Sequence, residues 1–204
     1  MKYFWLVPAL GLLAACSKTQ APAEPKAPAD TATQSSAPTA TADAMALKTL
    51  FGSQVELASG LPAAEFRADF TGDNIEDRAY LVNSSTLPAS PTPDVQVLRP
   101  WQAPENPATD LQNGAAVSLV IANGAAAGSA PAKFIVHDDV VQGPLYSAIN
   151  IGIQVLKPAD LSEFEAAKQA KGAALSMPLE TGDQEALFWN GASYEVSVTA
   201  REAE

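Results

Sequence analysis

Apolar and polar positions divide the chain into three zones. Residues 3–15 form a nearly unbroken apolar run behind the single positive charge of Lys2. Residues 17–43 hold no aromatic and no aliphatic side chain larger than alanine, and Pro22, Pro25, Pro28 and Pro38 punctuate them. Such a stretch cannot bury enough apolar surface to offset the entropy of ordering it, so it reads as a disordered tether. Periodic patterns begin at residue 44. Leu47 and Phe51 are four apart, as are Ala46 and Leu50, and Gly52 stands where a helix would stop, which predicts a helix over 44–51. Strands are predicted over 78–82, 117–122 and 133–136, with a short one at 95–98. Residues 149–155 alternate apolar and polar and predict a further strand, with Gly152 at a bulge or close approach. Asn190-Gly191 lies between the apolar runs 187–189 and 194–198, a strong hairpin signal. A second short helix is predicted near 161–171, ahead of Gly172.

These elements predict an α+β fold, predominantly antiparallel β. The organisation expected is a signal segment (1–15), a tether headed by Cys16 (16–43) and one β-rich domain (44–204). About 160 residues bury about 70% of their extended-chain surface, enough for a core without crosslinks. Between Asn83 and Asn113 six prolines mark a long excursion that includes Trp101. An exposed tryptophan there would contact a partner; the alternative is that Trp101 pins the loop to the core.

A charged start, an apolar run and small residues before a cut make a secretory signal. The run is too short for a transmembrane helix, which needs about 20 apolar residues. Its end, Leu13-Ala14-Ala15-Cys16, resembles the lipobox of bacterial lipoproteins. That resemblance implies cleavage before Cys16, acylation of its thiol and anchoring in a membrane through the acyl chains. Ser17, in place of Asp, implies by the same resemblance the outer membrane, with the domain facing the periplasm. Cys16 is the only cysteine, so a lipidated chain has none left for disulfides. As a flexible coil the tether would span roughly 30 Å, and in polyproline form roughly 85 Å.

The chain has 12 basic and 23 acidic residues, a net charge of −11. Such a surface repels nucleic acid and anionic headgroups and attracts cations. Nucleic acid is therefore excluded as a partner.

The most specific internal stretch is Asp69-Phe70-Thr71-Gly72-Asp73-Asn74-Ile75-Glu76-Asp77. Oxygen-bearing side chains alternate at Asp69, Thr71 and Asp73, with Asp77 closing the run. Calcium takes six to eight oxygen ligands, and Gly72 and Asn74 tolerate the positive φ that would turn such side chains toward one point. The stretch resembles the calcium loop of FG-GAP and VCBS-type repeats, in which a strand leaves directly from the last aspartate. The resemblance implies Asp69, Thr71, Asp73, the Ile75 carbonyl and Asp77 as calcium ligands. Thr71 and Asn74 depart from the family's usual Asn or Asp and Gly. Tyr80 occupies the twelfth position, where an EF-hand has Glu. The alternative is an Asp/Gly turn with solvated carboxylates.

His137-Asp138-Asp139 contains the sole histidine. No Gly-x-Ser-x-Gly elbow accompanies it, and a zinc site would need another His or a Cys. A strand-end loop is its expected role. Asp160, Glu163 and Glu165 read as a solvated helix start. The sequence thus points to a non-enzymatic envelope lipoprotein with a structural calcium loop. Two other classes are left open: a lipoprotein that binds and inhibits a partner enzyme or toxin in the envelope, with Trp101 at the contact, and, last in order, a hydrolase using His137 or Asp138.

Overall fold

Helix α1 (Ala40–Phe51) lays Leu47 and Phe51 on one face of a five-stranded sheet and stops at Gly52, whose N–H returns to the Lys48 carbonyl at 3.1 Å. The structure, a computed structural model, describes residues 40–101, 116–138, 144–179 and 181–199. The signal segment, Cys16 and nearly all of the tether lie outside the described residues. The helix begins earlier than its apolar spacing indicates, so the last residues read as tether, Ala40 to Asp43, are helical. Asp43 in the first turn suits the positive end of the helix dipole and binds Arg67.

The expected α+β fold, predominantly antiparallel, is what the chain adopts. The first sheet has the order β1-β2-β4-β5-β3, built from β1 (Glu65–Ala68), β2 (Asp77–Asn83), β3 (Val95–Leu98), β4 (Val117–Ala122) and β5 (Lys133–Val136). Only its β3–β5 pair is parallel among the described strands. The second sheet has the order β6-β7-β8-β9, from β6 (Gln154–Leu156), β7 (Ala174–Pro178), β8 (Gln184–Trp189) and β9 (Tyr194–Val198).

Alternation assigns each side chain to a layer. On β2, Tyr80 and Val82 meet α1, while Ala79 and Leu81 face the second sheet. Strands β4 and β5 divide likewise, with Val120 and Ile135 toward α1 and Leu119, Ile121, Phe134 and Val136 toward Leu175, Met177 and Leu187. Helix α2 (Pro144–Ile151) adds Leu145, Ala148 and Ile149 to that central core. Phe134, Trp189 and Tyr194 join the sheets as an aromatic cluster, with ring centroids 5.1–5.6 Å apart. The Tyr194 hydroxyl then donates to Asn123 Oδ1 at 2.7 Å. Each large apolar side chain buried here contributes about 1.5–3 kcal/mol.

Two expectations change. Residues 149–155 are not one strand: Ile149–Ile151 finish α2, Gly152 (φ 120°) closes it, and only Gln154–Leu156 pair as β6. Leu145, Ala148 and Ile149 share one helical face, and burying that face outweighs the local alternation. The predicted helix near 161–171 is two 3₁₀ turns, Pro158–Glu163 and Ala166–Gln169. Leu161 and Ala167 from the two turns, with Phe164 between them, are buried at every third position and cover the outer face of the second sheet at Ala174, Ala186 and Phe188. The predicted hairpin forms between β8 and β9. Asn190 Oδ1 accepts from the Ala192 and Ser193 N–H groups at 2.8 and 2.9 Å.

Candidate functional site

The loop between β1 and β2 carries the candidate ligands Asp69, Thr71, Asp73, Ile75 and Asp77. Gly72 (φ 78°) and Asn74 (φ 66°) both adopt the left-handed conformation that the sequence favours there. The resulting turn aims one consecutive run of backbone N–H groups, Phe70 to Ile75, at the loop's own carboxylates. Asp77 Oδ2 accepts from Phe70 and Thr71 at 2.7 and 2.9 Å. Asp69 Oδ1 accepts from Gly72 and Asp73 at 2.6 and 3.1 Å, and its Oδ2 from Asn74 at 2.7 Å. Asp73 Oδ1 accepts from Ile75 at 2.8 Å. The Thr71 hydroxyl stands 3.4 Å from Asp69 Oδ1.

The loop is also seated on distant parts of the chain. Asp77 Oδ1 accepts from the Gly124 N–H, just beyond β4, at 2.6 Å. The Asp69 carbonyl accepts from Ala173 N–H, beside β7, at 2.7 Å. A Cβ on Gly72 would lie 2.5 Å from that of Lys171. The loop is therefore a joint between the two sheets.

Asp77 is fully buried, and that burial pushes its carboxyl above the ordinary aspartate range. The N–H bonds from Gly124, Thr71 and Phe70 act in the opposite direction, and the Asp73 charge adds to the rise. Both Asp77 oxygens are committed to backbone donors, so it serves as a pin. A carboxylate offers about four lone-pair directions. Asp73 is exposed and has one oxygen free of N–H contacts, and Asp69 keeps part of its capacity. Of the expected ligands, these two with Thr71 and the Ile75 carbonyl retain capacity for an ion. Among the described residues no group of three or more His, Cys, Asp or Glu side chains is arranged to hold a metal. A groove of about 730 Å³ adjoins the loop, bounded by Thr71, Asp73, Glu165, Lys171, Trp189 and Asn190.

Trp101 is half-buried against the central core, and its indole N–H donates to Glu185 Oε2 at 2.9 Å. Glu185, at 7% exposure, is pushed above the ordinary glutamate range by burial; the Trp101 bond opposes this and Asp138 adds to it. His137 is 1% exposed. Its Nδ1 lies 2.9 Å from Ser118 Oγ, which lies 2.8 Å from Ser84 Oγ. Asp138 Oδ2 accepts from Leu145 N–H, 3.3 Å away in the first turn of α2. The pairing of His137 with Ser118 escaped the sequence reading. Its only trace is a serine inside the otherwise apolar run Val117–Ala122. A hydroxyl–imidazole pair is the start of nucleophilic chemistry, but buried with its hydroxyl chained to Ser84 it acts as a polar tie between β4, β5 and the turn after β2.

No known protein family, curated protein or solved structure matches the chain.

Proposed function

We propose that the chain is a bacterial lipoprotein: acyl chains on Cys16 hold it to the outer membrane, and the tether presents a non-enzymatic domain to the periplasm. The observation that carries this reading is Leu13-Ala14-Ala15-Cys16 at the end of the apolar run, followed at once by a stretch poor in large apolar side chains. The fully committed pin at Asp77 and the buried, bonded sole histidine support a binding or structural role for the domain. Replacing Cys16 with Ser tests the anchor. Mass spectrometry should find a precursor that retains residues 1–15 and carries no acyl mass. A variant that matures and enters detergent like the parent would sink the reading.

A second reading, compatible with the first, places calcium in the aspartate loop. It is favoured by the positive φ of Gly72 and Asn74, which gathers Asp69, Thr71 and Asp73 into one turn. Calcium would draw on the open oxygens of Asp69 and Asp73, the Thr71 hydroxyl and the Ile75 carbonyl, and would tighten the joint between the sheets.

A further inference from the structure

Two carboxylates lie in the seam between α1 and the first sheet with one guanidinium to share. Arg67 on β1 reaches Asp43 Oδ1 on α1 at 2.5 Å through Nη2, and Glu65 Oε1 on its own strand at 2.8 Å through Nε. The Asp43 and Glu65 side chains are only 7% and 9% exposed. The other charges facing the seam come from the end of the aspartate loop and from β2. They are Glu76, 3.9 Å from Arg67, and Arg78, 3.6 Å from Glu76. These two offset one another, and Glu76 is the more exposed of the seam's carboxylates. Asp43 and Glu65, both largely covered, therefore share one guanidinium that itself reaches solvent, which leaves one negative charge in excess in the seam.

A second observation points to the same spot. Tyr80 pairs with Glu65 across the β1–β2 ladder and sits on the face that α1 covers. It is fully buried, and its Oη is the one buried side-chain polar atom without a hydrogen-bond partner among the described residues. Arg78 is the nearest polar group to bear on this hydroxyl, and the charges of Glu65 and Asp43 act on it as well.

We infer that Glu65 holds an exchangeable proton against Asp43 and that its loss to solvent loosens the N-terminal half of α1 from the sheet. In the protonated form the Glu65 hydroxyl donates to an Asp43 oxygen, Arg67 balances the remaining charge, and Tyr80 Oη faces a neutral group. When the proton leaves to water, two full negative charges face each other in the seam beside one Arg67. The far end of α1 is held differently, by Lys133 Nζ donating to the Leu50 carbonyl at 3.1 Å, and that contact does not titrate with the pair. Burial, with Asp43 adding to it and Arg67 opposing it, pushes the Glu65 carboxyl above the ordinary glutamate range. The docked helix thus binds the proton more tightly than the released one. Docking is strongest in acid and weakens as pH rises from the ordinary glutamate range through the raised one. On the lipoprotein reading, α1 is the element the tether joins, so its release would lengthen the tether.

The experiment is a carbon-13 titration of side-chain carboxyls in the full chain, paired with amide exchange along α1 across the same pH range. Glu65 should titrate above the ordinary glutamate range, and Asp43→Asn, which offers an amide donor in place of a charge, should bring its midpoint down. Once corrected for intrinsic exchange, α1 opening should rise about tenfold for each unit by which Glu65 is raised. Glu65→Gln should flatten that rise. If either variant fails to fold, the parent titration still decides. A Glu65 midpoint in the ordinary range, or α1 protection that ignores pH, overturns the proposal. So does a midpoint that falls when millimolar calcium is added at constant ionic strength, since a metal ion would then be the occupant.

Discussion

Gly172 runs so close to Phe70 that a Cβ built on Gly172 would press into the Phe70 carbonyl oxygen, with the Gly72 nitrogen only 2.7 Å away. Backbone meets backbone here, and no side-chain rotation can relieve the crowding. Gly172→Ala should therefore lift the loop from its seat and cost about 1–3 kcal/mol in denaturant unfolding. Gly191→Ala is a suitable control, since its φ of 105° strains any side chain but its Cβ meets open space. A Gly172→Ala chain as stable as its parent would show that the joint between the sheets is looser than the contact implies.

The calcium reading predicts a ligand-dependent melt. Exported modules bind calcium at about 10⁻⁴ to 10⁻³ M. At ten times the dissociation constant the ion would add about 1.4 kcal/mol, or roughly 3–6 °C for a domain this long. Asp73→Ala should abolish that increment and change the chelated protein much less, because the Asp73 carboxylate is exposed and its bond is a local one from Ile75 N–H. Magnesium should substitute poorly, since it demands a tighter octahedron. Identical melts in millimolar calcium and in chelator would leave the loop as a joint held by its own amides.

Glu185 predicts a pH-dependent difference between the parent and Glu185→Gln. The folded carboxyl is raised by burial, so the folded chain keeps its proton to higher pH than the unfolded chain. In acid, below the ordinary glutamate range, both states are protonated and the group costs nothing. As pH climbs through that range the unfolded chain ionises first and stability falls, until the folded group ionises as well. Glutamine keeps an oxygen for Trp101 Nε1 and does not titrate. The variant should be the more stable one at neutral pH, by about 1.4 kcal/mol for each unit of elevation. The gap should close in acid. Parallel stability profiles from pH 3 to pH 8 would show that Glu185 is solvated in solution.

What the sequence discloses depends on how far apart the deciding residues lie. Strands β2, β4 and β5 were legible because both of their faces are apolar, as a central strand between two layers requires. Helix α1 was legible from Leu47, Phe51 and Gly52 within one short window. Helix α2 was not, because Ile149-Asn150-Ile151 alternates locally while the anchor Leu145 falls outside the alternating segment. The short strands β1, β6 and β7 give few periods to count. In the aspartate loop the residue types and the two positive-φ positions were legible. The use of Asp69 and Asp77 as caps on a run of backbone amides was not, since it rests partly on Gly124 and Ala173 far down the chain. Asp43 meets Arg67 from 24 positions away, a spacing with no local signature.

The seat of the aspartate loop also bears on the order in which the chain acquires structure. Asp77 finds Phe70 and Thr71 only seven and six positions back, and Gly124 lies 47 positions ahead. A nascent chain emerging amino end first can therefore complete the loop and the five-stranded sheet once β5 is available. The contact from Ala173 to Asp69 closes a separation of roughly one hundred residues and must wait for nearly the whole domain, as contacts of such long range generally do. Until then the finished loop is a template without its counterpart, and the apolar face of the first sheet around Leu81, Leu119 and Phe134 stays open to water. The interval before the second sheet arrives is when the chain is most exposed to wrong partners, and shielding in that interval is worth most on this one face.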